Sequence, residues 1–214
     1  MLDTLLHLHS KKHIVHRDIK PENIMVLKDR VGEEQKIDIK IVDFGLATVK
    51  DVDENLAKGG MGSKYYMAPE LVQSADAGHD FKVDIWALGV LCFQLFSNDM
   101  LPWLAECDED IETEELERRI CACEIHWEHF DGEGLEDAKD FVKKCLTVDP
   151  VKRPNAAKLK KTSKFINKRE PSRATRPILN QAIQNTIEYS KLNLFQKRIF
   201  YMISSIATMG ETYQ

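Results

Sequence analysis

Apolar positions along the chain fall into a few separated patterns. Leu2, Leu5, Leu6 and Leu8 recur at helical spacing within residues 1–10, which predicts a helix already under way at the first residue. Nothing ahead of it resembles a cap, so the natural domain is expected to begin earlier. Residues 24–27 (IMVL) and 37–42 (IDIKIV) are short β-type runs. The polar stretch from Lys28 to Lys36, with Gly32, separates them as a hairpin loop would. Residues 45–64 carry Gly59, Gly60 and Gly62 and read as loop. Residues 83–97 form one apolar helix, and its run from Ile85 to Phe96, broken by Gln94, is too short to span a bilayer, so it predicts a buried core helix. Residues 106–117 are acidic and read as a solvated loop and helix start. Lys139 to Leu146 is a short amphipathic helix stopped by Asp149-Pro150. Residues 168–177 (KREPSRATRP) read as a linker, after which a helical pattern resumes over 178–209. The order is mostly helix with two short strands, and a lone two-stranded hairpin must lie on the helices to be stable.

Composition narrows the class. With 214 residues, 43% hydrophobic and 30% charged, the chain is long enough for a sizeable core and excludes disordered, collagen-like and membrane-embedded sequence. The net charge of −5 carries no nucleic-acid footprint for the molecule as a whole. Its distribution is uneven: residues 152–200 hold 13 Lys/Arg against 2 Asp/Glu. Five cysteines (Cys92, Cys107, Cys121, Cys123 and Cys145) show no framework spacing, which predicts free thiols in a reducing, cytoplasmic compartment. No secretory signal opens the chain, because Asp3 and His7 interrupt the apolar start.

The chemistry concentrates in His16-Arg17-Asp18-Ile19-Lys20-Pro21-Glu22-Asn23, followed by Asp43-Phe44-Gly45. Phosphoryl transfer needs little covalent help and much fixed charge. Asp18 is suited to accept the proton of an attacking hydroxyl, and Lys20 is near enough in sequence to reach the transferring group. Asn23 and Asp43 offer hard oxygen ligands, which Mg²⁺ prefers when a nucleotide supplies the rest. Pro21 forces an extended turn, which keeps these side chains off a helix surface.

Together with Ala68-Pro69-Glu70, Asp84-Ile85-Trp86-Ala87-Leu88-Gly89 and Asp149-Pro150 with Arg153 beyond, these motifs resemble the large lobe of a eukaryotic serine/threonine protein kinase. The resemblance implies a mainly α-helical fold, a kinase-like C-terminal lobe with a short β-hairpin carrying the catalytic and metal-binding loops. It implies ATP and Mg²⁺ as cofactors and protein substrates as partners. Asp18 then resembles the catalytic base and Lys20 the phosphate-contacting lysine of serine/threonine kinases. Asn23 and Asp43 resemble the metal ligands, and Met25 the apolar floor under adenine. His16 and Phe44, followed by Gly45, resemble the packed spine. Arg17 resembles the arginine that receives an activation-loop charge. Glu70 and Arg153 resemble a structural ion pair, and Asp84 the residue that holds the catalytic loop by hydrogen bonds. Glu22 is assigned to reading a basic residue of the peptide, and Ser63 to the substrate shelf. Between Val49 and Gly62 there is no Ser, Thr or Tyr. Asp53 and Glu54 are expected to stand in for a phosphate opposite Arg17.

The tail narrows the resemblance to calcium-dependent and calcium/calmodulin-dependent kinases. Leu192, Phe195, Ile199, Met202 and Ile206 make one helical stripe, with Lys191, Lys197 and Arg198 adding positive charge. Such a helix suits the groove of calmodulin or a calmodulin-like domain, or packs back on its own domain. The expected organisation is a kinase large lobe over 1–166, a linker over 167–177 and a regulatory junction helix over 178–209. No glycine-rich phosphate loop precedes the catalytic loop, so the small lobe is read as missing and little transfer is expected from this chain alone. The alternative is a non-catalytic fragment that binds peptides or a calcium sensor. Asp51-x-Asp53-x-Asn55 begins like a calcium loop, but Leu56 and Gly62 stand where a turn glycine and a bidentate glutamate belong. His7, His9, His13 and His16 lack clustered Cys or carboxylate partners for zinc.

Overall fold

A computed structural model of the chain describes residues 1–31, 34–50, 64–74, 78, 80–105, 108, 111–130 and 134–167; for residues 26–31 and 34–38 it describes the main chain. Seven helices and four strands lie among the described residues. In chain order they are α1 (Leu2–Lys11), β1 (Ile14–Val15), β2 (Ile24–Val31), β3 (Glu34–Ile41), β4 (Thr48–Val49), α2 (Pro69–Gln73), α3 (Lys82–Phe96), α4 (Thr113–Ala122), α5 (Glu136–Cys145), α6 (Ala156–Thr162) and α7 (Lys164–Asn167). Short 3₁₀ turns cover Pro21–Asn23, Lys64–Tyr66 and Trp127–His129.

Helix α3 is apolar on all sides because it is surrounded. Every residue from Val83 to Leu91 is buried, along with Phe93 and Phe96. One side of it packs with Trp103, Leu116, Ile120, Phe130 and Val142. The other side packs with Leu5, Leu8, Ile19, Phe141 and Leu159. Full burial of side chains this size stabilises by about 1.5–3 kcal/mol each. Gly89 is required by the approach of α5: a Cβ there would stand 2.6 Å from Cys145 Cβ and 2.9 Å from Leu146 Cδ2.

Strands β2 and β3 form an antiparallel pair in register from Ile24↔Ile41 to Val31↔Glu34. The ladder therefore takes in residues 28–31 and 34–36, within the stretch Lys28 to Lys36 expected to be a loop. Main-chain bonding extends the strands past the apolar run, because ladder hydrogen bonds do not depend on side-chain polarity. A second correction concerns residues 45–64. Thr48 and Val49 form β4, paired antiparallel with β1 through Val15↔Thr48 and Ile14↔Val49. Two residues are too few to show a period of two in sequence. The expected linker from 168 onwards, the junction helix with Leu192, Phe195, Ile199, Met202 and Ile206, the acidic stretch from Asp51, and Ser63 lie outside the described residues. Among the described residues, no helix is long and apolar enough to cross a membrane.

Candidate active site

The motif residues meet where β1 runs into the turn before β2. Asp18 is buried, and its Oδ2 lies 2.8 Å from Lys20 Nζ. Asn23 donates from Nδ2 to that same Oδ2 at 2.7 Å and to the Asp18 carbonyl at 2.8 Å. Both amide hydrogens of Asn23 are thus turned on Asp18, which leaves Oδ1, on the opposite side of the amide, as its acceptor atom. Val42 N–H donates to the Asn23 carbonyl at 2.9 Å, so Asp43 follows directly from a bond to the Asn23 main chain. Asp43 is exposed, and its Oδ1 accepts Gly45 N–H at 3.0 Å.

Arg17 and Asp43 adopt left-handed backbone with φ of 67° and 64°. Such conformations cost about 1–3 kcal/mol each for residues other than glycine, and persist where surrounding bonds over-determine them. For Arg17 those bonds are visible. Asp84, wholly buried in the first turn of α3, accepts Arg17 N–H at 2.8 Å, His16 N–H at 2.8 Å and His9 Nε2 at 2.9 Å. The Arg17 Nε donates to the Leu46 carbonyl. Burial lowers the pKa of the Arg17 guanidinium, and the Asp84 carboxylate opposes that shift.

His9 is absent from the set predicted by motif. Its signal was its position four residues after Leu5 on the buried face of α1, a polar group where the pattern expects an apolar one. Likewise unforeseen is the bond from Tyr66 Oη to Gln94 Oε1. Burial, with Glu22 and Asp99 nearby, pushes the Tyr66 hydroxyl pKa far above its ordinary value.

Glu70 and Arg153 come together across 83 positions. Arg153 Nη1 and Nη2 donate to the two Glu70 oxygens at 2.7 and 2.9 Å. The remaining donors reach the carbonyls of Thr147, Lys82 and Val148, and the guanidinium lies 5.0 Å from the Trp86 ring centre. A buried arginine is tolerable because all of its N–H groups have partners.

Other predicted positions are open to solvent. Met25 is 42% exposed, Phe44 46% exposed, and Glu22 exposed. The resemblance implies a packed Phe44. Its ring meets buried His16 edge-on at 4.9 Å, but its other side faces solvent. Cys92, Cys123 and Cys145 behave as packing residues. Burial pushes the Cys92 thiol up to about 12 and Cys123 up to about 11, which keeps both protonated.

No group of three or more His, Cys, Asp or Glu among the described residues would hold a metal ion unaided. The donor set of Asn23 and Asp43, an amide and a carboxylate, instead fits a magnesium ion whose other ligands are phosphate oxygens and water.

The model of the protein kinase domain matches residues 1–165. The chain belongs to the protein kinase domain family. The chain is 35% identical over 152 residues to the "Probable serine/threonine-protein kinase CCRP1" of Zea mays, covering 71% of this chain and 22% of that protein. It is 32% identical over 205 residues to "Calcium-dependent protein kinase 3" of Plasmodium berghei, covering 95% of this chain and 34% of that protein. It is 34% identical over 156 residues to "Calcium/calmodulin-dependent protein kinase cmkA" of Emericella nidulans, covering 73% of this chain and 35% of that protein. The chain thus spans about a fifth to a third of the length of these relatives.

Proposed function

We propose that these residues serve an ATP-dependent protein serine/threonine kinase. Asp18 is the general base for the substrate hydroxyl, and Lys20 contacts the transferring phosphoryl group. Asn23 Oδ1 and the Asp43 carboxylate would hold Mg²⁺, which when bound neutralises charge on the phosphate oxygens. Met25 would underlie adenine, Ser63 would line the substrate shelf, and Glu22 would read a basic residue of the peptide. The observation that carries the reading is the Asp18 carboxylate held between Lys20 Nζ and Asn23 Nδ2. A carboxylate fixed by two donors on one oxygen keeps a defined direction for its other oxygen, which general-base catalysis needs.

Calcium control is part of the same reading. It rests on the apolar stripe and basic residues of 189–206 and on the printed names of two relatives. Calmodulin or a calmodulin-like domain is the partner proposed, and a cytoplasmic site of action agrees with the unpaired thiols of Cys92, Cys121, Cys123 and Cys145. The test is phosphate transfer from ATP to a serine peptide in Mg²⁺ by the whole protein. Replacing Asp18→Asn is expected to reduce the rate by roughly 10²–10⁴-fold. Transfer at the wild-type rate by that variant would overturn the assignment.

A further inference from the structure

Strand β4 and Lys50, which follows it, lie beyond the residues assigned to phosphate, metal and substrate. The stretch from Val42 to Lys50 is tied at both ends. At its start, Val42 N–H bonds the Asn23 carbonyl at 2.9 Å. In the middle, Ala47 N–H bonds the Phe44 carbonyl at 3.0 Å, and Arg17 Nε bonds the Leu46 carbonyl. At its end, β4 pairs with β1, and Lys50 N–H bonds the His13 carbonyl at 2.8 Å. A ladder this short is weak alone in water.

The Lys50 side chain adds what the ladder lacks. Its Nζ lies 3.0 Å from Asp80 Oδ1 and 4.8 Å from the centre of the Phe81 ring. The same Asp80 oxygen accepts Phe81 N–H at 2.7 Å. The Phe81 ring packs on His9 at 5.2 Å, and His9 Nε2 is bonded to Asp84. Asp84 in turn holds the N–H groups of His16 and Arg17. The contacts therefore close a circuit: Lys50, Phe81, His9, Asp84, Arg17, Leu46 and back along the chain to Lys50. Burial raises the pKa of the Asp80 carboxyl, yet Lys50 and the Phe81 N–H outweigh it and hold the group below its ordinary value. That is the behaviour of an engaged ion pair.

We propose that Lys50 is a positioning residue for Asp43: its ammonium, held by Asp80 and Phe81, fastens the far end of the Asp43 segment to the carboxylate that holds Arg17. This rests on the reading that Asp43 holds the metal. An ordinary half-exposed ion pair would add a little stability and leave metal binding unchanged.

The test is binding of Mn²⁺, in place of Mg²⁺, to the whole protein in the presence of ATP, followed by electron paramagnetic resonance. Lys50→Met is expected to weaken that binding about three- to tenfold, the range of one weak ion pair plus one cation–π contact. In turnover it should raise the half-saturating Mg²⁺ concentration equally, with the peptide KM unchanged. Lys50→Arg is expected to restore both, because a guanidinium can bond Asp80 and stack on Phe81. Asp80→Asn, which keeps an acceptor for Phe81 N–H but removes the charge, should act in the direction of Lys50→Met. Wild-type Mn²⁺ affinity in Lys50→Met, with or without a lower melting temperature, overturns the proposal, as does an Arg variant as impaired as the Met one. Asp43→Asn titrated in parallel separates the two readings. If it binds Mn²⁺ as tightly as the wild type, the metal-ligand reading of Asp43 fails; if it loses binding while Lys50→Met keeps it, the role of Lys50 alone fails.

Discussion

Asp84 Oδ1 accepts the main-chain N–H of Arg17 at 2.8 Å across 67 positions of sequence. Asp84 Oδ2 takes the N–H of His16 and Nε2 of His9. One buried carboxylate on the central helix thus holds the backbone of the loop that carries Asp18 in a left-handed turn. Replacing Asp84→Ala leaves buried donors without acceptors. The expected cost is about 3–5 kcal/mol in urea unfolding, with faster hydrogen exchange at the Arg17 amide.

The Glu70–Arg153 pair gives a second prediction. Arg153→Lys keeps the charge but cannot reach two carboxylate oxygens and three carbonyls at once. It is expected to destabilise by roughly 3–5 kcal/mol, close to the cost of removing one partner of a buried pair. A lysine variant with wild-type unfolding would show that the bidentate geometry contributes little.

Gly89 offers a steric test. Alanine favours helix over glycine by about 1 kcal/mol, so an uncrowded site would gain from Gly89→Ala. Here the added Cβ meets Cys145 Cβ at 2.6 Å. We expect a net loss of about 1–3 kcal/mol, and no relief from a further Cys145→Ala change, because the clashing atom is the Cβ that alanine retains.

Acid stability should report the α4 ion pairs. Bonds from Arg118 and then Arg119 lower the Glu115 carboxyl from 4.5 to about 2. A carboxyl lowered in the folded state contributes stability that is complete above its unfolded pKa and lost as pH falls through the folded one. The difference in urea midpoint between wild type and Glu115→Gln is therefore expected to be constant above about pH 5.5 and to close between about pH 4.5 and pH 2. A difference that persists at pH 2 would mean Glu115 acts through packing rather than charge.

How legible the molecule was depends on what each residue answers to. Helix α3 could be read directly because it is apolar on every side over fifteen residues. The predicted site residues Asp18, Lys20 and Asn23 could be read because their spacing within one turn is itself the constraint that brings them together. The extent of β2 and β3 could not, since main-chain pairing carries them over residues 28–31 and 34–36 without an apolar pattern. Strand β4 is too short for a period, and its partner β1 lies 33 or more positions away in sequence. His9 and Lys50 matter through residues that only the fold brings near: Asp84 for one, Asp80 and Phe81 for the other. Exposure at Phe44 and Met25 follows from what lies beside them in space, which spacing does not encode.

The central claim is that Asp18, Asn23 and Asp43 surround one nucleotide-borne metal ion. Paramagnetic broadening by Mn²⁺ in the presence of ATP tests it most directly. The account predicts that amide signals of residues 18–23 and 43–45 broaden together at low Mn²⁺, and that Asp43→Asn weakens the effect in both stretches. Broadening confined to one stretch, or centred elsewhere in the molecule, would contradict it.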